Sequence, residues 1–159
     1  RPAAEKAVDS LLAMREAEGA RMKQDVLSRA EKIIELVGKI EERSPQTVEE
    51  YRSKLQQRLE EMLAGAVTDE QRILTETAIF ADKVAVAEET VRLRSHFDQL
   101  RTMLESEGPV GRKLDFLVQE MNREANTIGS KAVDAQFAYL VVDIKAEIEK
   151  IREQIQNIE

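Results

Sequence analysis

Cysteine and tryptophan are both missing from the chain. Without cysteine there are no disulfide frameworks, thiolate nucleophiles, cysteine-held zinc sites or iron–sulfur clusters. Turn-formers are scarce, with 6 Gly and 3 Pro, and aromatics make up only 4% of residues. No apolar run approaches membrane-spanning length, and nothing resembles a signal peptide. Positive charge is not in excess either: 24 Lys and Arg face 31 Asp and Glu, a net charge of −7. That balance argues against a generic basic protein that coats phosphate backbones. There is no Walker A loop, nucleotide-binding Gly-rich loop, HExxH or EF-hand. One histidine and no nucleophile elbow leave little support for Ser-His-Asp catalysis.

What remains is a helix-forming mixture rich in Glu, Lys, Arg, Leu and Ala, 42% hydrophobic and 35% charged. It is too apolar for a disordered chain and too charged for a membrane protein. At 159 residues it can form one domain that buries roughly 70% of its unfolded surface. It opens on Arg1-Pro2 rather than Met, which reads as a fragment or a processed product.

Apolar residues recur at helical spacing throughout, so the expected fold is all-α, built of long antiparallel helices with coiled-coil-like packing. Met22, Val26, Ala30, Ile33, Val37 and Ile40 form the first stripe, and Ser44-Pro45 is expected to stop that helix near Arg43. A second helix, with the stripe Val48, Tyr51, Leu55, Leu59 and Met62, is expected to start near Thr47 and to end at Gly65. Residues 1–64 then read as a helical hairpin. Thr68-Asp69-Glu70-Gln71 has capping-box spacing, and residues 69–107 read as one long central helix. Residues 108–131 form a motif region that opens on the Gly108-Pro109 loop, carries Leu114, Leu117, Val118 and Met121 inward, and is expected to break near Asn126–Ser130. Residues 132–159 carry Phe137, Val141, Ile144, Ile148, Ile151, Ile155 and Ile158 at coiled-coil spacing.

The central helix changes its apolar side. Ile73, Phe80, Val84, Ala87 and Val91 share one face, while Val86, Leu93, Phe97, Leu100 and Leu104 lie on roughly the opposite one. A continuous helix would therefore be sandwiched between two partners near residues 84–97, and Val91 is expected to be buried in a core or an interface.

Two polar clusters stand out. In the first, Glu88, Glu89, Arg92 and His96 recur at helical spacings and gather on one flank. In the second, Glu120, Arg123, Glu124, Asn126, Thr127, Ser130 and Lys131 follow the loop. Glu120 and Glu124, one turn apart, can share a divalent cation of the oxygen-preferring kind; ExxxE is also common on solvated helices. The hydroxyls and amide of Asn126, Thr127 and Ser130 suit phosphate or simple helix capping. Arg112-Lys113 is a small basic site, set where a helix dipole slightly disfavours cations.

The run Gly108–Lys131, GPVGRKLDFLVQEMNREANTIGSK, resembles the signature of the YicC/YloC-like bacterial protein family. The likeness extends upstream through Ala81-Asp82-Lys83 and Ala87–His96, and downstream through Lys150–Glu159; Glu18-Gly19 and Asp25-Val26 match more loosely. It covers essentially the whole chain, read as the C-terminal domain of a larger protein whose N-terminal domain lies outside these residues. The resemblance implies a bacterial, cytoplasmic endoribonuclease, acting as a homo-oligomer (a hexamer is the size considered) and dependent on a divalent metal, Mn²⁺ or Mg²⁺, with RNA as its partner and no membrane.

On the motif positions, the expected catalytic residues are Glu89, His96, Glu120 and Glu124. Glu89, Glu120 and Glu124 are the expected metal ligands, and Arg92, Arg112, Lys113, Arg123 and Lys131 the RNA-binding cations. A carboxylate-held ion both activates a nucleophile and neutralises phosphate, which reconciles an acidic chain with an RNA substrate. This requires the two clusters to meet in space. The alternatives are a non-catalytic helical oligomerisation scaffold and an RNA-binding adaptor; few aromatics count against base stacking.

Overall fold

The structure, a computed structural model, describes residues 2–64 and 69–157. Five helices and no strand occur among them: α1 (Pro2–Leu63), α2 (Glu70–Val84), α3 (Ala87–Glu105), α4 (Gly111–Ser130) and α5 (Ala135–Gln156). The fold is all-α, as expected. No described helix is long and apolar enough to cross a membrane.

One core joins α1, α3, α4 and α5. Val26, Ile33, Val37 and Ile40 of α1 meet Leu93 and Leu100 of α3, Leu114 and Met121 of α4, and Ile144, Ile148 and Ile151 of α5. Each such side chain contributes about 1.5–3 kcal/mol relative to exposure. The expected stripes of α4 and α5 are buried in full, apart from Ile158, which lies outside the described residues. Cross-links show that α5 runs antiparallel to α1: Arg43 pairs with Asp134, while Arg29 and Lys32 pair with Glu147. Beyond this overlap, residues 2–21 of α1 are all exposed. This arm carries Val8, Leu11, Leu12 and Met14 into solvent.

Three expectations are corrected. First, residues 1–64 do not form a hairpin, because α1 passes through Pro45 without stopping. Tertiary ties outweigh the local preference there. Arg43 grips both carboxylate oxygens of Glu50 across the proline and also pairs with Asp134, the N-cap of α5. Thr47 does not cap a helix start; its hydroxyl donates to the Ser44 carbonyl (2.7 Å). Beyond the proline, α2 folds back along α1, with the Tyr51 and Phe80 rings stacked 3.9 Å apart. The expected stop at Gly65 and the Thr68 of the expected capping box lie outside the described residues; α1 ends at Leu63, and Asp69 caps α2 by accepting from the Gln71 and Arg72 N–H groups.

Second, the central helix is broken. Ala85 leaves helical geometry (φ −61°, ψ 127°), and α3 starts afresh at Ala87. The break resolves the change of face: α2 buries Ile73 and Val84, while α3 buries Leu93, Phe97 and Leu100. Each helix keeps one apolar side, and Val91 is left 65% exposed. Val91 is therefore no core residue of this chain. Third, Asn126–Ser130 is no break but the last turns of α4.

Candidate functional site between α3 and α4

Gly108 makes the hairpin of α3 and α4 possible. Its φ of +114° is open to glycine and strained for other residues, and Pro109 follows it in the loop. The returning α4 packs Leu114, Leu117, Val118 and Met121 against Leu93, Phe97 and Leu100. The residues bordering that apolar seam are those of the two polar clusters.

The clusters meet. Lys131 Nζ donates to Glu89 Oε1 at 2.9 Å, and Arg92 lies 3.8 Å from Glu124. The first pair has a direct physical origin. Antiparallel packing sets the positive start of α3 beside the negative end of α4, so Glu89 and Lys131 each occupy the helix end that favours its charge. Lys131 also donates to the Ala85 carbonyl (2.7 Å), an acceptor freed by the α2–α3 break. One ammonium thus ties α2, α3 and α4 together. Burial pushes the Glu89 carboxyl upward, but the hydrogen bond from Lys131, its own backbone N–H and the nearby charges outweigh this, and its pKa ends below the usual range.

Arg92 also pairs with Glu88 on α3, and on α4 Arg123 lies 3.7 Å from Glu120. Glu89 and Glu124 are buried, whereas the Arg92 and Arg123 side chains are largely open. The Thr127 and Ser130 hydroxyls donate back to carbonyls of α4, and with Asn126 they line a polar face of that helix beside Arg123.

The expected three-carboxylate metal cage is not formed: among the described residues no three His, Asp or Glu side chains lie together so as to hold an ion. Glu89 faces Lys131, Glu124 faces Arg92 and Glu120 faces Arg123, so cations interleave the carboxylates. Glu120 and Glu124 sit one turn apart on α4, and Mg²⁺ is commonly held by one or two carboxylates together with substrate phosphates.

His96 stands apart from Glu89. Seven residues along α3 put it about 10 Å further down the helix, in a cavity of about 390 Å³ lined also by Arg112, Lys113 and Phe116. The structure therefore joins Glu89, Arg92, Glu124 and Lys131 across α3 and α4, leaves Glu120 and Arg123 paired with each other on α4, and sets His96, Arg112 and Lys113 around the neighbouring cavity. Sequence reasoning passed over Phe116 and Gln99, which line the second stretch. One signal was available: Phe116 is an aromatic residue off the buried Leu114–Leu117–Val118–Met121 stripe, four residues beyond Arg112.

An all-α domain with ion-paired motif residues along one helical hairpin is the class of protein this geometry defines. Residues 40–159 match the family described as endoribonuclease YicC-like, C-terminal, and the chain belongs to that family. It is 47% identical to a probable endoribonuclease YicC of Clostridioides difficile over 158 residues, 99% of this chain and 54% of the relative. It is 38% identical to a protein of the same name from Haemophilus influenzae over 148 residues, 93% of this chain and 51% of the relative. The chain thus spans about half the length of these curated relatives.

Proposed function

We propose that this chain is the RNA-cleaving C-terminal domain of an endoribonuclease, hydrolysing phosphodiester bonds at the α3–α4 groove. One observation carries the reading: two motif clusters separated by about thirty residues of sequence converge through Lys131–Glu89 and Arg92–Glu124. The printed name of both relatives supports the reaction class.

In this reading Arg92 and Arg123, which are open to solvent, bind the scissile phosphate, as guanidinium does through paired N–H donors. A phosphate approaching Arg92 competes with Glu88 and Glu124 for the guanidinium, and so frees carboxylate oxygens next to the reacting centre. Glu120, more accessible than Glu124, accepts the proton of the attacking oxygen. Glu89 and Lys131 are positioning residues that hold the start of α3 against the end of α4. A bound Mg²⁺ or Mn²⁺ would supply charge neutralisation and a more acidic water, with Glu120 and Glu124 as its protein ligands.

The reading also includes a homo-oligomer, considered as a hexamer and supported by the apolar residues exposed on the α1 arm, and a bacterial cytoplasmic setting, supported by the RNA substrate and two bacterial relatives. A second reading, an adaptor that binds RNA without cutting it, draws on the same network, because buried carboxylates set against cations are also what structural ion pairs look like.

The test is cleavage of an end-labelled structured RNA by the purified full-length protein with Mn²⁺, with Mg²⁺ and with chelator. Metal-dependent cutting that disappears in the Glu120→Gln/Glu124→Gln variant is the expected result. Equal cutting by wild type and variant would remove the carboxylate pair from the site. RNA binding without cutting would favour the adaptor.

A further inference from the structure

The cavity around His96 is the feature that the cleavage reading leaves unused. It lies between α3 and α4 and is lined by His96, Gln99, Met103, Arg112, Lys113 and Phe116, with Leu117 as its floor. Its volume of about 390 Å³ falls within the range of small-ligand sites. No carboxylate is among the lining residues, although acids outnumber bases in the chain as a whole.

Three observations here lack a structural explanation. Phe116 is 63% exposed. The other aromatics of the folded body are mostly accounted for: Phe97 and Phe137 are in the core, and Tyr51 and Phe80 stack on each other. Arg112 and Lys113 are exposed in the first turn of α4, where the dipole disfavours cations, and neither has an ion-pair partner among the described residues. The Nδ1 atom of His96 is buried and has no hydrogen-bond partner among the described residues, a state that costs free energy.

The geometry points to a subsite for one unpaired nucleotide of the RNA. The base stacks on Phe116 beside Met103, its edge meets the half-buried His96 ring and Gln99, and Arg112 and Lys113 take the adjoining phosphate. A flat base fits this site better than a phosphate alone, because an open aromatic ring and two cations, unpaired among the described residues, share one cavity with polar side chains. A base held in a duplex cannot present its face to Phe116, so the subsite selects single-stranded or looped RNA. It lies along the same groove as the proposed cleavage centre, one helical turn beyond Arg92, and would fix which nucleotide flanks the cut. The inference rests on the RNA reading above, yet it concerns binding and is tested without cleavage.

The experiment measures binding of the full-length protein, in chelator, to a fluorescent single-stranded RNA 12-mer and to the same sequence as a duplex. Removing one base-stacking ring costs roughly 5- to 150-fold in affinity. Phe116→Ala is expected to weaken single-strand binding by that factor and leave duplex binding unchanged, while Phe116→Trp restores the single-strand affinity. Phe116 is exposed, so the variant should melt with wild type. Wild-type single-strand affinity in Phe116→Ala overturns the proposal. So does an equal loss for both RNAs, a loss that Phe116→Trp fails to restore, or the absence of any RNA binding by the wild type. Tight, Phe116-dependent binding by a protein that never cuts RNA would sustain the subsite and refute the nuclease reading.

Discussion

Replacing Glu147 with glutamine is expected to destabilise the chain by about 2–3 kcal/mol at neutral pH and to have almost no effect near pH 2. Glu147 is 3% exposed on α5. It accepts hydrogen bonds from Lys32 (2.7 Å) and Arg29 (3.0 Å) of α1 and from Lys150 (3.3 Å) of α5. The Lys32 bond is the main cause that lowers its pKa; burial opposes it, and Arg29 and Lys150 add to the lowering, so the value falls from 4.5 to about 2. At about 1.4 kcal/mol per unit, this shift corresponds to about 3 kcal/mol of stability. A depressed carboxyl stabilises fully above its unfolded value, so the contribution is complete above about pH 5 and is lost as pH falls through about 2. Lys32 and Lys150 are half exposed and Arg29 keeps Asp25 as a partner. Solvent screening and that remaining bond hold the cost below the 3–5 kcal/mol or so of a stranded buried charge. For a chain of this length the expected fall in Tm is about 4–12 °C. Thermal unfolding followed by far-UV circular dichroism at pH 7 and pH 2 reads both values. A gap of the same size at both pH values, or no gap at pH 7, would refute the argument.

Four further outcomes are expected. Gly108→Ala forces a side chain onto a φ of +114° and should cost about 1–3 kcal/mol, read as a lower urea midpoint with an unchanged slope. Leu93→Ala empties a fully buried position that joins α3 to the core and should cost about 2–5 kcal/mol in the same assay. Val91→Asp, at an exposed position, should leave the melting temperature of the chain within about 1 °C; a large drop would mean that Val91 is covered in solution. Lys131→Met strands the Glu89 carboxylate and the Ala85 carbonyl and should cost about 2–4 kcal/mol, with faster amide exchange at the start of α3.

The helical class and the inward faces of α4 and α5 were legible because apolar period alone sets them: every residue named on those stripes within the described chain is buried. What local rules could not supply were two choices made by tertiary contact. Pro45 sits inside a helix because Arg43, Glu50 and Asp134 clamp both sides of it. Ala85 breaks a helix without any glycine or proline nearby, because neither apolar face can be buried by one straight rod and because Lys131, forty-six residues on, satisfies the carbonyl that the break frees. Opposed stripes on one segment are as much a sign of a break as of a two-sided helix, and here the break won. The site shows the same division. The motif spacing placed Glu89 with Arg92, and Glu120 with Glu124, on their own helices. Only the antiparallel hairpin shows that cations of one helix close over carboxylates of the other and that His96 belongs to the neighbouring cavity.

The central claim is that residues of both clusters act on the same phosphodiester bond. A double-mutant cycle of Arg92→Gln and Glu124→Gln tests it most directly, with single-turnover cleavage of an end-labelled RNA by the full-length protein as the readout. If the two side chains serve one centre, the double variant should be little slower than the slower single variant, as for groups that act as a unit. Two rate losses that simply multiply, or wild-type rates in both single variants, would contradict a shared site.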